Sequence, residues 1–114
     1  MKYDLEERSY KFAADVREFV GKLGNSISVV EDGKQVIRSS GSVAANYIEA
    51  NDALSKKDFL YRIKICRKES KESVLFLRLL DVSSNEIYTN KQEELIKEAT
   101  ELMKIFGTIL HKSK

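Results

Sequence analysis

With 114 residues the chain can enclose one hydrophobic core and is too short for two, so 1–114 is read as a single domain. Hydrophobic residues make up 42% and charged residues 33%, which excludes both a disordered chain and a membrane protein, and a net charge of +2 singles out no class of partner. No apolar run approaches the roughly 18 residues of a membrane span, and the opening MKYDLEERSYKF lacks a signal peptide's apolar centre, so a soluble cytoplasmic protein without a membrane partner is expected.

Proline is absent and there are only five glycines, which removes the usual punctuation of β-rich folds and favours long helices. The first helix is expected over about 4–22, with Leu5, Phe12, Val16, Phe19, Val20 and Leu23 on one side at spacings of three, four and seven. Gly24-Asn25 suits the left-handed conformation that follows a helix end. A second helix is expected over about 28–53, its inward stripe being Val36, Ser40, Val43, Tyr47 and Leu54. Ser28 through Glu31 resembles a capping box, yet Gly33 costs about 1 kcal/mol inside a helix, which leaves the start anywhere between Ser26 and Asp32.

Ser55-Lys56-Lys57-Asp58 marks a third helix over about 56–82, with Phe59, Ile63, Cys66, Ser70, Ser73 and Leu77 facing inward. A fourth is expected over about 87–111, beginning at Glu86 or Asn90, with Ile87, Leu95, Leu102, Phe106 and Ile109 as its stripe. Short links between long helices force chain neighbours to lie antiparallel, so the expected fold is an all-α, up-down-up-down four-helix bundle.

The third helix has more apolar surface than one core requires. Tyr61, Ile65, Phe76 and Leu79 form a second line away from its inward stripe, and cover by another copy of the chain, in a homo-oligomer, is the expected reason. The alternative is a wide helix buried within its own subunit. The same helix carries Lys57, Lys64, Lys68, Lys71 and Arg78 at spacings of seven, four, three and seven, which places them along one ridge. Such a ridge can neutralise the phosphates of RNA or DNA, or can be an ordinary solvated face.

Residues suited to chemistry are few. The single histidine, His111, lies near the end of the sequence, and the single Cys66 can staple nothing internally and is expected as a buried small apolar residue. One of each falls short of a zinc site, no Glu-x-x-His pair occurs, and neither Gly21-Lys22-Leu23-Gly24 nor Gly41-Ser42 has phosphate-loop spacing. No catalytic residue, metal, cofactor or small-molecule substrate is therefore expected. On the second helix, Arg38, Ser42, Ala45, Asn46 and Glu49 share a face away from the core, where small side chains admit another backbone. That face is either a hydrogen-bonded helix contact or, as the functional alternative, a polar pocket or a network between subunits with Arg38 and Glu49 as specificity contacts.

The run Gln35-x-x-Arg38-Ser39-Ser40-x-Ser42-Val43-x-Ala45-Asn46-Tyr47-Ile48-Glu49-Ala50 resembles the signature of the bacterial four helix bundle protein family, some of whose members are encoded in intervening sequences of 23S ribosomal RNA genes. Ser55-x-x-Asp58-Phe59-Leu60 and Lys68-Glu69-Ser70-x-Glu72 resemble that family's third helix, so the likeness spans nearly the whole chain. It implies a bundle assembling into a ring, typically a homopentamer, with no established enzymatic activity. More distantly the chain is similar to the accessory variability determinants of diversity-generating retroelements, which implies nucleic acid or a nucleic-acid enzyme as a partner. Carried over by position, the motif points to Arg38, Ser42, Asn46 and Glu49. Two readings follow: an oligomeric scaffold that engages nucleic acid through the third-helix ridge, and a purely protein-binding adaptor.

Overall fold

The computed structural model describes residues 4–113; positions 1–3 and 114 of the expected domain lie outside the described residues. Four helices follow in order: α1 (Leu5–Gly21), α2 (Ile27–Asn51), α3 (Lys56–Leu79) and α4 (Glu86–Lys112). Among the described residues there is no strand.

Each helix begins where a short polar side chain satisfies an otherwise free backbone N–H. Asp4 accepts from the Glu7 amide, Ser26 from Val29, Ser55 from Asp58 and Asn85 from Tyr88, caps worth about 0.5–2 kcal/mol each. The expected capping box at Ser28 is corrected: Ser26 holds the extended backbone that a cap requires, so Ser28 and Glu31 already lie within α2. Gly24, with φ of 90°, turns the chain in the middle of the first link, in the left-handed region that glycine adopts without penalty. Helix α3 ends at Leu79, short of the expected Val82. Leu80 turns extended, and the consecutive left-handed residues Ser83 (φ 52°) and Ser84 (φ 58°) bring the chain round into α4.

Cross-helix contacts fix the directions. Asn51 donates to Glu6 and Gly33 lies against Val20, so α1 and α2 run opposite ways. Arg62 reaches Asn46 while Ser73 meets Ser39, which does the same for α2 and α3. Gln92 donates to the carbonyls of Leu77 and Leu80, and Arg67 lies beside Gly107, so α4 is antiparallel to α3. Arg8 pairs with Glu98 and Phe19 meets Tyr88 edge-on, which closes α1 against α4. Helices α1 and α3 therefore occupy one diagonal of the bundle, and α2 and α4 the other.

The inward stripes meet along the axis. Phe12, Val16, Val36, Val43, Ile63, Leu77, Leu102 and Phe106 are fully or almost fully buried, each contributing about 1.5–3 kcal/mol. Two expected core residues are not there. Leu54 is 98% exposed because α2 ends before it, and Ile87 is 76% exposed in the first turn of α4. Where α2 meets α3 the seam is made of small polar groups: the Ser39 and Ser73 hydroxyls lie 2.8 Å apart, and Cys66 Sγ donates to the Val43 carbonyl at 3.5 Å. Gly33 permits the closest approach of α1, since a Cβ there would stand 2.7 Å from Val20 Cγ1.

Candidate functional site

The α2–α3 seam positions the motif residues, and it divides them. Arg38 leans across to α3, where its guanidinium donates to both oxygens of Glu69 (3.3 and 3.4 Å) and to Glu72. Glu69 has only 10% of its side chain exposed, whereas Arg38 keeps 49%. Hydrogen bonds to Glu69 first, and then to Glu72, hold the Arg38 guanidinium in its charged form and raise its pKa further. Two helical turns on, Asn46 donates to the Ser42 hydroxyl and carbonyl at 3.0 and 2.9 Å and accepts from Arg62 at 3.0 Å. Glu49 stands exposed, with no partner among the described residues. Arg38 and Glu49 thus do not form one pocket, and most of the motif's polar groups are used within the subunit.

Contacts across α3 also separate its two outer flanks. Arg62, Glu69 and Glu72 reach α2, while Arg67 lies against Gly107 of α4 and Lys68, Lys71 and Arg78 share a furrow with Thr100 and Met103. At about 100° per residue, Tyr61, Ile65 and Leu79 fall toward the α2 flank and Lys64, Lys71 and Arg78 toward the α4 flank. Tyr61 (59%) and Leu79 (53%) are exposed and Ile65 is half-buried, so three of the four expected interface residues stand outward. Phe76 is corrected: it packs against the core within its own subunit, because its position on the helix turns it toward the bundle. Leu75, passed over in the sequence, is 48% exposed. It follows Lys71 by four residues and so continues the cationic ridge.

Lys57, Lys64, Lys68, Lys71 and Arg78 are all exposed, and among the described residues none of them forms an ion pair. Elsewhere some cations are paired: Lys11 binds Asp15 at 2.7 Å and Lys22 binds Glu18 at 3.2 Å. Glu69 and Glu72 share the single guanidinium of Arg38, so this cluster keeps a net charge of −1 beside the five cations of the ridge. Glu69 and Glu72 stand in the stretch that resembles the family's third helix, but sequence spacing pairs neither of them with Arg38, nor Arg62 with Asn46. A four-residue charge spacing on α3 hides which of its acids face α2.

Cys66 is fully buried, and loss of solvation pushes its thiol up to about 12, with Arg62 opposing weakly. At neutral pH it is a packing group. Among the described residues no cluster of His, Cys, Asp or Glu is close enough to hold a metal ion, and no helix is long and apolar enough to cross a membrane.

A sequence model for the 23S rRNA-intervening sequence protein matches residues 1–108. Among solved structures, a crystal structure from Bacteroides thetaiotaomicron, described as a protein of unknown function from the S23 ribosomal protein family, is similar at 28% identity and a TM-score of 0.75, covering 92% of this chain and 96% of that one. No curated protein matches the chain.

Proposed function

The chain belongs to the 23S rRNA-intervening sequence protein family, and on that premise we propose that it is a non-enzymatic, self-associating scaffold that engages nucleic acid through the outward cations of α3. The observation that carries this reading is the ridge of Lys57, Lys64, Lys68, Lys71 and Arg78, exposed and unpaired among the described residues beside acids already occupied by Arg38. Five phosphate contacts imply a salt slope of about −3.5 on a single strand, or roughly a hundredfold loss of affinity between 50 and 200 mM salt.

Self-association is assigned to the other flank. Exposed Tyr61 and Leu79 and half-buried Ile65 lie on the side of α3 that faces the α2 motif, where Ser42 and Ala45 leave room for a second backbone. A ring of identical copies, the homopentamer that the family resemblance implies, covers this flank and leaves the cations free. The non-enzymatic part of the reading is supported by the buried, protonated thiol of Cys66 and by the single histidine.

Mobility shifts of a labelled RNA at two salt concentrations test the nucleic-acid part. A shift at low salt that is lost in Lys64→Glu with Lys71→Glu supports it, and no shift at low salt removes it, leaving a protein-binding adaptor. Light scattering tests the assembly: a multiple of the 13.1 kDa chain mass is expected, falling to monomer in Tyr61→Glu with Leu79→Glu. A monomeric wild type refutes it.

A further inference from the structure

The cations of α3 do not stand alone, and what they share with α4 narrows the kind of nucleic acid the surface suits. The furrow between α3 and α4 is lined at one end by Lys68, Lys71 and Arg78 above Val74, Leu75 and Met103. At the other end Arg67 faces Lys104, His111 and Lys112, with Gly107, Thr108 and Leu110 between them. These two stretches follow one antiparallel register. Arg67 lies beside Gly107, where an added Cβ would stand 3.6 Å from Arg67 Nε, and Lys71 shares its stretch with Met103 one turn away. From Lys64 to Arg78 the track runs for about 21 Å along α3.

Each lip therefore carries cations, α3 along its length and α4 at the end nearest Arg67. Glu72 is the one acid among the lining residues of the two stretches, and Arg38 binds it from the α2 side. Arg67, Lys104 and Lys112 are exposed, and none of them is drawn into an ion pair among the described residues. The opposite furrow, between α1 and α4, is the reverse case: Asp15, Glu94, Glu98 and Glu101 are interspersed with Lys11, Lys91 and Lys97. The acids that face α4's furrows thus gather on its α1 side, and on its α3 side Glu72 is the single acid among the lining residues.

The floor distinguishes a strand from a duplex. Leu75 is 48% exposed, and Val74 and Met103 are half-buried, so apolar surface lies open beside the α3 cations, and the α4 cations Lys104 and Lys112 follow at the other end of the furrow. A duplex keeps the faces of its bases stacked inside and presents phosphates, sugars and base edges, so it has no base face to lay on such a floor. A single strand can turn unpaired bases onto the floor while its phosphates meet the lysines of both lips.

We infer that single-stranded nucleic acid lies along the α3–α4 furrow, held on one lip by the α3 cations and on the other by Lys104 and Lys112, with Arg67 between them. This rests on the nucleic-acid reading proposed above and adds α4 to the surface.

Fluorescence anisotropy of a labelled single-stranded RNA and of its duplex, titrated with the full chain across a salt series, tests the inference. The strand is expected to bind at least about tenfold more tightly than the duplex. Lys104→Gln with Lys112→Gln is expected to lower the magnitude of the salt slope by about 1.4, since each lost contact on a single strand removes about 0.7. Lys91→Gln with Lys97→Gln makes the same change of charge on the same helix, on its α1 side, and is expected to leave strand binding unchanged. If the wild type binds no RNA, the nucleic-acid reading fails and this inference with it. If it binds through Lys64 and Lys71, yet the Lys104 and Lys112 variant matches the control, or the duplex binds equally well, the inference alone is overturned. Equal competition by polyglutamate overturns it too, in favour of an acidic protein segment.

Discussion

Replacing Arg38 with glutamine tests how the family motif is linked to the surface beside it. Glu69 has 10% of its side chain exposed and takes both of its long-range hydrogen bonds from Arg38, so Arg38→Gln leaves a nearly buried carboxylate without its cation. Stranding a fully buried charge costs about 3–5 kcal/mol. Arg38 is 49% exposed, however, and solvent screens the pair, so a loss of about 1–2 kcal/mol is expected. In urea at fixed protein concentration this appears as a drop of about 0.5–1 M in the unfolding midpoint, with the slope unchanged. Adding Glu69→Gln removes the stranded charge, so the double variant is expected to be more stable than the sum of the two single variants predicts, by about 1 kcal/mol. There is a second readout. With Arg38 gone, Glu69 and Glu72 are uncancelled beside the α3 cations, and RNA affinity falls a few-fold with no change in salt slope, because no phosphate contact is lost. An unmoved midpoint with no coupling in the cycle would refute the reasoning and reduce Arg38 to an ordinary surface cation.

The Ser9 hydroxyl is fully buried in α1 and has no partner among the described residues, so Ser9→Ala is expected to raise stability by about 1 kcal/mol; thermal melting checks this, and a destabilised variant contradicts it. Cys66, with its thiol pushed up to about 12, holds a thiolate fraction of about one in ten thousand at pH 8, so a disulfide reagent is expected to label it only after denaturant is added. Because the folded pKa lies above the ordinary 9.0, the unfolded chain loses this proton first as pH rises. That part of the stability is complete below about pH 9 and declines toward pH 12. Cys66→Ala is expected to flatten that decline, and unfolding midpoints across this range show whether it does.

Much of the fold was legible because periodicity and caps agree. Val16, Val43, Ile63, Leu102 and Phe106 fall on single faces at helical spacing, and Ser55 stands where a helix begins. The errors occur where a helix ends. The spacing that placed Leu54 and Ile87 in the core assumes a helix that continues with a buried flank, and Leu54 lies beyond the end of α2 while Ile87 lies in the exposed first turn of α4. Ser26 took the cap in place of Ser28 because backbone conformation, which residue type does not determine, selects between two serines separated by Ile27.

For the surfaces, sequence spacing found each row of residues but not its neighbours. It put Tyr61, Ile65, Phe76 and Leu79 on one line, yet a 60° difference in direction separates solvent from core, and Phe76 packs inward. It placed Arg38 and Glu49 on one face, while the partner that matters to Arg38 is Glu69, thirty-one positions away. Pairing across helices depends on the relative shift of α2 and α3, which the Ser39–Ser73 and Asn46–Arg62 contacts set. For the same reason the α4 lip of the furrow was not visible until Arg67 was seen against Gly107.

The most direct test of the account is lysine-reactivity footprinting by mass spectrometry, with an acetylating reagent applied to the protein with and without a saturating single-stranded RNA. The account predicts that Lys64, Lys68, Lys71, Lys104 and Lys112 become protected, while Lys22, Lys34, Lys91 and Lys97 react as before. Uniform reactivity, or protection centred on the lysines between α1 and α4, would contradict it.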